Sequence, residues 1–194
     1  MAAGERAEAP PGVFTYGEAR RFGLSDRQLY ALRDAGAIEQ LGRGLFRRAD
    51  SSGDPDLLEI AARAPESTLC LASALARHDL TDEIPSRIDV ALPRTRRQPS
   101  VRAPVRWHRF DPDTFDVGRE PLEVGPLTMG IYDAERSICD AFRLRHREGS
   151  DQAVEALKRW LRRRGSQPAA LLRIARRLGP AAEAPMREAL EILL

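Results

Sequence analysis

Along residues 15 to 48 the apolar positions come in short groups separated by glycines, and each group predicts one element. Thr15 and Glu18 stand three apart, the spacing of a capping box, in which the threonine hydroxyl accepts from the third helical amide and the glutamate reaches back to the cap amide. A helix therefore begins at Tyr16, and it ends near Phe22 because Gly23 can take the left-handed conformation without steric cost. Ser25 and Gln28 repeat the spacing, so a second helix runs from about Asp26 to Ala35 and closes at Gly36. On it Leu29 and Leu32 share one face, with Ile38 just beyond, which turns Arg27, Tyr30, Ala31 and Asp34 outward. IEQL and LFRR then read as two strands around Gly42-Arg43-Gly44, whose glycines permit positive φ about one exposed arginine. Two helices, a tight turn and a basic hairpin are the layout of a winged helix-turn-helix.

From Asp54 onward helical and strand-like patterns are mixed. PDLLEIAARA reads as a helix with Asp54 as its cap and Pro55 at its first position, and STLCLASALARHDL as a short apolar entry followed by a helix ending near His78. IDVAL, VRWHRF, PLEV and LTMGIY are β-rich runs separated by proline, glycine and aspartate, and together they predict one sheet. Helices return over Ala134–Arg145, Asp151–Arg164, Pro168–Leu178 and Ala184–Leu193. The class is α+β: an N-terminal winged helix-turn-helix, then an α+β C-terminal domain with a small mixed or antiparallel sheet and C-terminal helices. The polar, turn-forming stretch from Ala49 to Pro55 separates the two, which puts the winged helix at 13–49 and the second domain at 54–194. Residues 1–12, with prolines and glycines and few apolar side chains, read as disordered.

Charge enters through placement rather than amount. Residues 1–50 hold eight arginines against seven acids, a net of only +1, so bulk charge does not point to nucleic acid. The arginines do, because they sit at a helix start and a hairpin tip. In a helix-turn-helix the second helix enters the major groove and its N-terminal residues meet base edges, which makes Arg27 and Gln28 the candidate readers of double-stranded DNA. Tyr30 and Arg33 follow on the same helix, while Arg43 and Arg47 would grip phosphates or the minor groove. Helical hairpins with a β-ribbon also serve as protein-docking modules, and that alternative stays open. Further on, residues 143–177 carry eleven basic residues against three acids. Lys158, Arg159, Arg162 and Arg163 lie opposite Val154, Leu157, Trp160 and Leu161, either as a solvated face or as accessory contacts to a DNA backbone.

Little catalytic chemistry is suggested. His78, His108 and His146 have no short-range ligand spacing, so neither a metal nor another cofactor is expected. There is no nucleophile elbow and no phosphate-cradling glycine loop. Asp89 lies on a strand but has no second carboxylate or lysine close by in sequence. In YDAERSICDAFRLRHREG, Asp133 caps a helix and Arg136 stands four before Asp140, a pairing that reads as a structural network joining helix to sheet rather than a catalytic pair. Cys70 and Cys139 sit in apolar surroundings and suggest no disulfide scaffold, and no apolar run approaches membrane length; a soluble cytoplasmic protein that is not an enzyme is expected.

GLSDRQLYALRDAGAIEQLGRGLFRR, LCLASALARHDLTDEIP, IDVALP, YDAERSICDAFRLRHREG and AVEALKRWLRRRG, in this order over residues 13 to 178, resemble the AbiEi family of bacterial antitoxins and transcriptional regulators. The resemblance implies a winged-helix domain that represses its own operon, a C-terminal domain needed for antitoxin action, and a place in phage defence. It also implies a neighbouring AbiEii-like nucleotidyltransferase toxin, counteracted without a stable complex, and an operator that is an inverted repeat. One departure accompanies it: the family's winged helix usually has a further helix ahead of the one beginning at Tyr16, where this chain has MAAGERAEAPPG.

Overall fold

The computed structural model describes Pro10 and residues 12–194, which group into two compact units. The first contains the chain up to Pro65 with Pro99–Ala103 and Glu123–Thr128; the second contains Glu66–Gln98, Pro104–Leu122 and Met129–Leu194. Apart from Pro10 and Gly12, the stretch 1–12 expected to be disordered lies outside the described residues.

In the first unit β1 (Val13–Thr15) leads into α1 (Tyr16–Arg21) and α2 (Asp26–Asp34), followed by β2 (Ile38–Gly42), β3 (Leu45–Arg48) and α3 (Pro55–Arg63). β3 is the middle strand of a three-stranded sheet and runs antiparallel to both neighbours. β1 has no counterpart in the sequence reading, because three residues are too few to show a period. Its register pairs Phe14 with Phe46, and the two rings stack at 5.9 Å. They close a small core with Ala19, Leu24, Leu29 and Ile38.

α3 begins as its sequence requires, with the Asp54 carboxylate accepting from the amides of Asp56 and Leu57 and proline in the first turn. It belongs to the first unit, whereas the sequence groups it with the second domain. Its Glu59 is buried, and one carboxylate oxygen accepts from the amides of Arg102 and Ala103 at 2.8 and 2.9 Å. These charge-assisted bonds offset the loss of water around a buried carboxylate. A Cβ at Gly42 would lie 2.0 Å from the other oxygen of Glu59, so any larger residue there would have to displace the buried Glu59 carboxylate.

The second unit holds most of a five-stranded sheet of order β6-β5-β4-β8-β7, comprising β4 (Thr68–Leu69), β5 (Ile88–Pro93), β6 (Val105–Phe110), β7 (Arg119–Val124) and β8 (Leu127–Tyr132). The sheet is mixed: β4 is antiparallel to β5 and parallel to β8, and β5 is parallel to β6. The helices are α4 (Leu71–Arg77), α5 (Pro112–Phe115), α6 (Ala134–Arg143), α7 (Arg145–Glu148), α8 (Ser150–Leu161), α9 (Pro168–Leu178) and α10 (Pro180–Leu193). β4, α5 and α7 are each four residues or shorter and leave no periodic signal. α10 starts at Pro180, not at Ala184, and holds Pro185 in its interior. A proline near the expected start mimics the first helical position. The stripe of Ala182, Met186 and Leu190, fully or almost fully buried in the helical core with Ile138, Leu157, Trp160 and Leu171, holds the earlier turn despite the missing amide.

The network read at Arg136 is present. Its Nε donates to Asp140 at 2.8 Å, and Nη1 donates to the carbonyls of Thr114 and Val117 at 2.7 and 2.6 Å. The guanidinium also lies 4.2 Å from the centroid of the Tyr132 ring. Arg136 and Asp140 are both fully buried, and the pair ties α6 to α5 and the turn into β7.

Candidate nucleic-acid interface

Local chemistry fixes both ends of the helical pair. The Thr15 amide donates to Glu18 at 2.6 Å while Thr15 Oγ1 accepts from the Glu18 amide at 3.2 Å. The bond from the Thr15 amide holds the Glu18 carboxyl below its usual range. Ser25 and Gln28 repeat the arrangement: the Ser25 amide donates to Gln28 Oε1 at 2.9 Å, and Ser25 Oγ accepts from the Gln28 amide at 3.3 Å. Between them the chain turns at Gly23, φ +98°, and the Leu24 amide returns to the Ala19 carbonyl at 3.1 Å, closing the end of α1.

α2 is anchored by one line of side chains and otherwise open. Leu29 is buried and Leu32 half-buried, while the remaining seven residues are exposed. A helix held along a single edge leaves its outer surface free to enter a groove about as wide as the DNA major groove, ~12 Å. Arg27 is exposed and, among the described residues, makes no hydrogen bond or ion pair. Gln28 is exposed too, but its Oε1 is committed to Ser25, so only its Nε2 is available to a partner. Arg33 pairs with Asp34 at 2.9 Å and lies 4.9 Å from the Tyr30 ring centroid. That leaves the exposed face of Tyr30 and part of one guanidinium.

The hairpin turns through Arg43-Gly44, with Gly44 at φ +64°, and β2 carries an irregularity between Gln40 and Gly42. Tyr16 connects this tip to α2. Its amide donates to the Gly44 carbonyl at 2.8 Å and its hydroxyl to Asp26 at 2.6 Å, the latter raising the phenol above its ordinary value. Arg63 of α3 donates to the Arg43 carbonyl. The tip is therefore held by backbone contacts while the Arg43 guanidinium remains exposed and without a partner among the described residues.

Arg47 is placed differently from its sequence reading. It forms an ion pair with Glu39 at 2.6 Å, donates to the Gly53 carbonyl at 2.9 Å, and its side chain is only 15% exposed. Its guanidinium is used to hold the hairpin. Among the four basic residues of α8 and its end, Arg159 is bound to Asp82 and Glu155 and Arg163 donates to the His78 carbonyl. Lys158 and Arg162 are exposed. Tyr16 escaped the sequence reading as a connecting residue; its only signal is its place directly after a cap and ten residues before an acid on the next helix.

A three-stranded sheet with a helical pair and a pinned basic hairpin is a winged helix-turn-helix arrangement. Residues 5–49 match the family model described as "Transcriptional regulator, AbiEi antitoxin", so the resemblance read from the sequence holds over that segment. The fold is similar to that in the crystal structure of the RV2827C protein from Mycobacterium tuberculosis. The TM-score is 0.55 at 20% identity, over 93% of this chain and 76% of that one. No curated protein matches. Among the described residues no helix is long and apolar enough to cross a membrane, and no three His, Cys, Asp or Glu side chains are grouped to hold a metal ion.

Proposed function

We propose that this chain is a non-enzymatic, cytoplasmic transcriptional repressor that binds an inverted-repeat operator in double-stranded DNA through α2 and the β2–β3 hairpin. The observation that carries the reading is the coincidence of the family match with the free surface: residues 5–49 contain both the outward side of α2 and the pinned hairpin. Arg27 reads a guanine edge in the major groove, where a guanidinium can bond O6 and N7 together. Gln28 contributes its Nε2 alone, since two-pronged reading of adenine would need the oxygen that Ser25 occupies. Tyr30 and Arg33 flank this contact, and Arg43 neutralises a phosphate beside it. Arg47 supports the hairpin, and Lys158 and Arg162 remain as accessory backbone contacts.

The division into a DNA-binding segment, 13–49, and an antitoxin segment, 54–194, is part of the same proposal. The functional partner would be an AbiEii-like nucleotidyltransferase toxin counteracted without a stable complex. A promoter–reporter fusion carrying the DNA upstream of the chain's own reading frame tests this reading. Wild-type protein should repress it and Arg27→Ala should not. Equal repression by both, or none by either, removes the proposed contact. Repression absent in both together with rescue from a co-expressed toxin would favour the protein-interaction reading instead.

A further inference from the structure

The second unit contains a pocket of about 520 Å³ that the proposed function does not use, lined by β6, the residue after β5 and the junction of α6 with α7. Four arginines line it, Arg94, Arg109, Arg143 and Arg147, and no Asp or Glu is among its lining residues. Arg94 and Arg109 each donate to the other's main-chain carbonyl, which orients both without neutralising either. Arg143 shares the single carboxylate of Asp140 with Arg136, and its Nε is enclosed with no acceptor. Arg147 is exposed and has no ion-pair partner among the described residues. The wall is thus more strongly cationic than the acids behind it can balance.

Trp107 and His108 line it too, as neighbours on the edge strand β6 whose side chains turn to opposite faces of the sheet. Trp107 offers a half-buried indole. His108 is held through Nε2 by the buried Asp89 at 2.8 Å, which leaves its Nδ1 as a further polar atom. Clustered arginine forks match phosphate oxygens in pairs, and an aromatic plane beside them matches the face of a base. The volume is that of a small-molecule site, which typically spans about 300–1,000 Å³.

We propose that this pocket binds a phosphorylated nucleotide, its phosphate on Arg94, Arg109 and Arg147 and its base against Trp107. A base inside a duplex is stacked on both faces and cannot reach the indole, so the ligand is either a free nucleotide or the terminal nucleotide of a single strand. This site is separate from α2 and the hairpin, and its failure would leave the operator reading untouched.

Titrating the full chain with ATP, with UTP and with a short 5′-phosphorylated DNA strand, followed by calorimetry and tryptophan fluorescence, tests the proposal. Saturable one-to-one binding of a mononucleotide assigns a free nucleotide; binding of the strand alone, lost when its 5′-phosphate is removed, assigns a strand end. Arg147→Ala should weaken binding about tenfold, the scale of one lost charge-assisted contact, whereas Arg177→Ala on α9, exposed and away from the pocket, should leave it unchanged. Trp107→Phe should retain binding and abolish the quenching. Absence of saturable binding by all three probes overturns the proposal. So does equal weakening by the Arg147 and Arg177 variants, which would indicate diffuse attraction. Quenching that persists in Trp107→Phe would remove the stacking contact.

Discussion

α2 and α6 are arginine-bearing helices of nine and ten residues, yet α2 buries only Leu29 while α6 buries every residue from Arg136 to Phe142. The difference lies in what meets each guanidinium. Around Arg136 stand a carboxylate, two carbonyls and an aromatic face, and the side chain becomes part of the core. Around Arg27 the described residues supply no acceptor, and the side chain is left for a partner. An arginine therefore reports on function only through its surroundings, and the same test separates Arg43 from Arg47 on a single hairpin.

The sharpest way to break this comparison is to remove each guanidinium in turn. Arg136→Met leaves the buried Asp140 carboxylate to Arg143 alone and the Thr114 and Val117 carbonyls without their donor, and should lower unfolding free energy by about 3–5 kcal/mol in urea melts. Arg27→Met, on an open surface, should change it by less than about 0.5 kcal/mol; similar losses for both would sink the distinction. Gly42→Ala comes next. With a Cβ 2.0 Å from Glu59 Oε1, it should destabilise the first unit by about 1–3 kcal/mol, the usual scale of overpacking, and a variant melting like wild type would contradict the close approach.

A third test is pH. Burial pushes Asp89 up, but hydrogen bonds from His108 and Arg106 outweigh it and hold its carboxyl below the ordinary range. A depressed carboxyl contributes stability that is present above its unfolded value, about 3.9, and is lost as pH falls through the lower folded value. Wild-type protein should lose stability steeply below about pH 4, and Asp89→Asn should show a flatter acid limb; identical limbs would argue against the depressed group. A modest effect is expected for Ser25→Ala. Loss of that cap should cost about 1 kcal/mol, read as lower helicity and a lower melting point, while the backbone amide of residue 25 keeps its bond to Gln28 Oε1.

Much of the first unit was legible because its signals are local. Each capping box spans four residues, and Gly23, Gly36 and Gly44 mark turns that need positive φ. What stayed hidden was either too short for a period, as with β1, β4, α5 and α7, or depended on distant partners. The contact of Glu59 with Gly42 joins residues seventeen apart in the sequence, and that of His108 with Asp89 residues nineteen apart. The basic pocket gathers side chains from positions 94, 107–110 and 143–147, and neither spacing nor charge count brings those together. The candidate DNA contacts were legible as positions, but not their availability. Only the structure separates the free guanidinium of Arg43 from that of Arg47, and shows that Gln28 gives its oxygen to Ser25.

The central claim is that free arginines on α2 and the hairpin meet DNA, each in its own way. Affinity of the full chain for the upstream DNA and for a scrambled duplex, measured across a range of salt concentrations, tests it most directly. Arg27→Ala should cost about 1–3 kcal/mol on the upstream DNA and little on the scrambled duplex, while Arg43→Ala should weaken both alike and reduce the salt slope by about one. If wild-type protein does not prefer its upstream DNA, or if both variants bind with wild-type affinity and slope, the interface lies elsewhere.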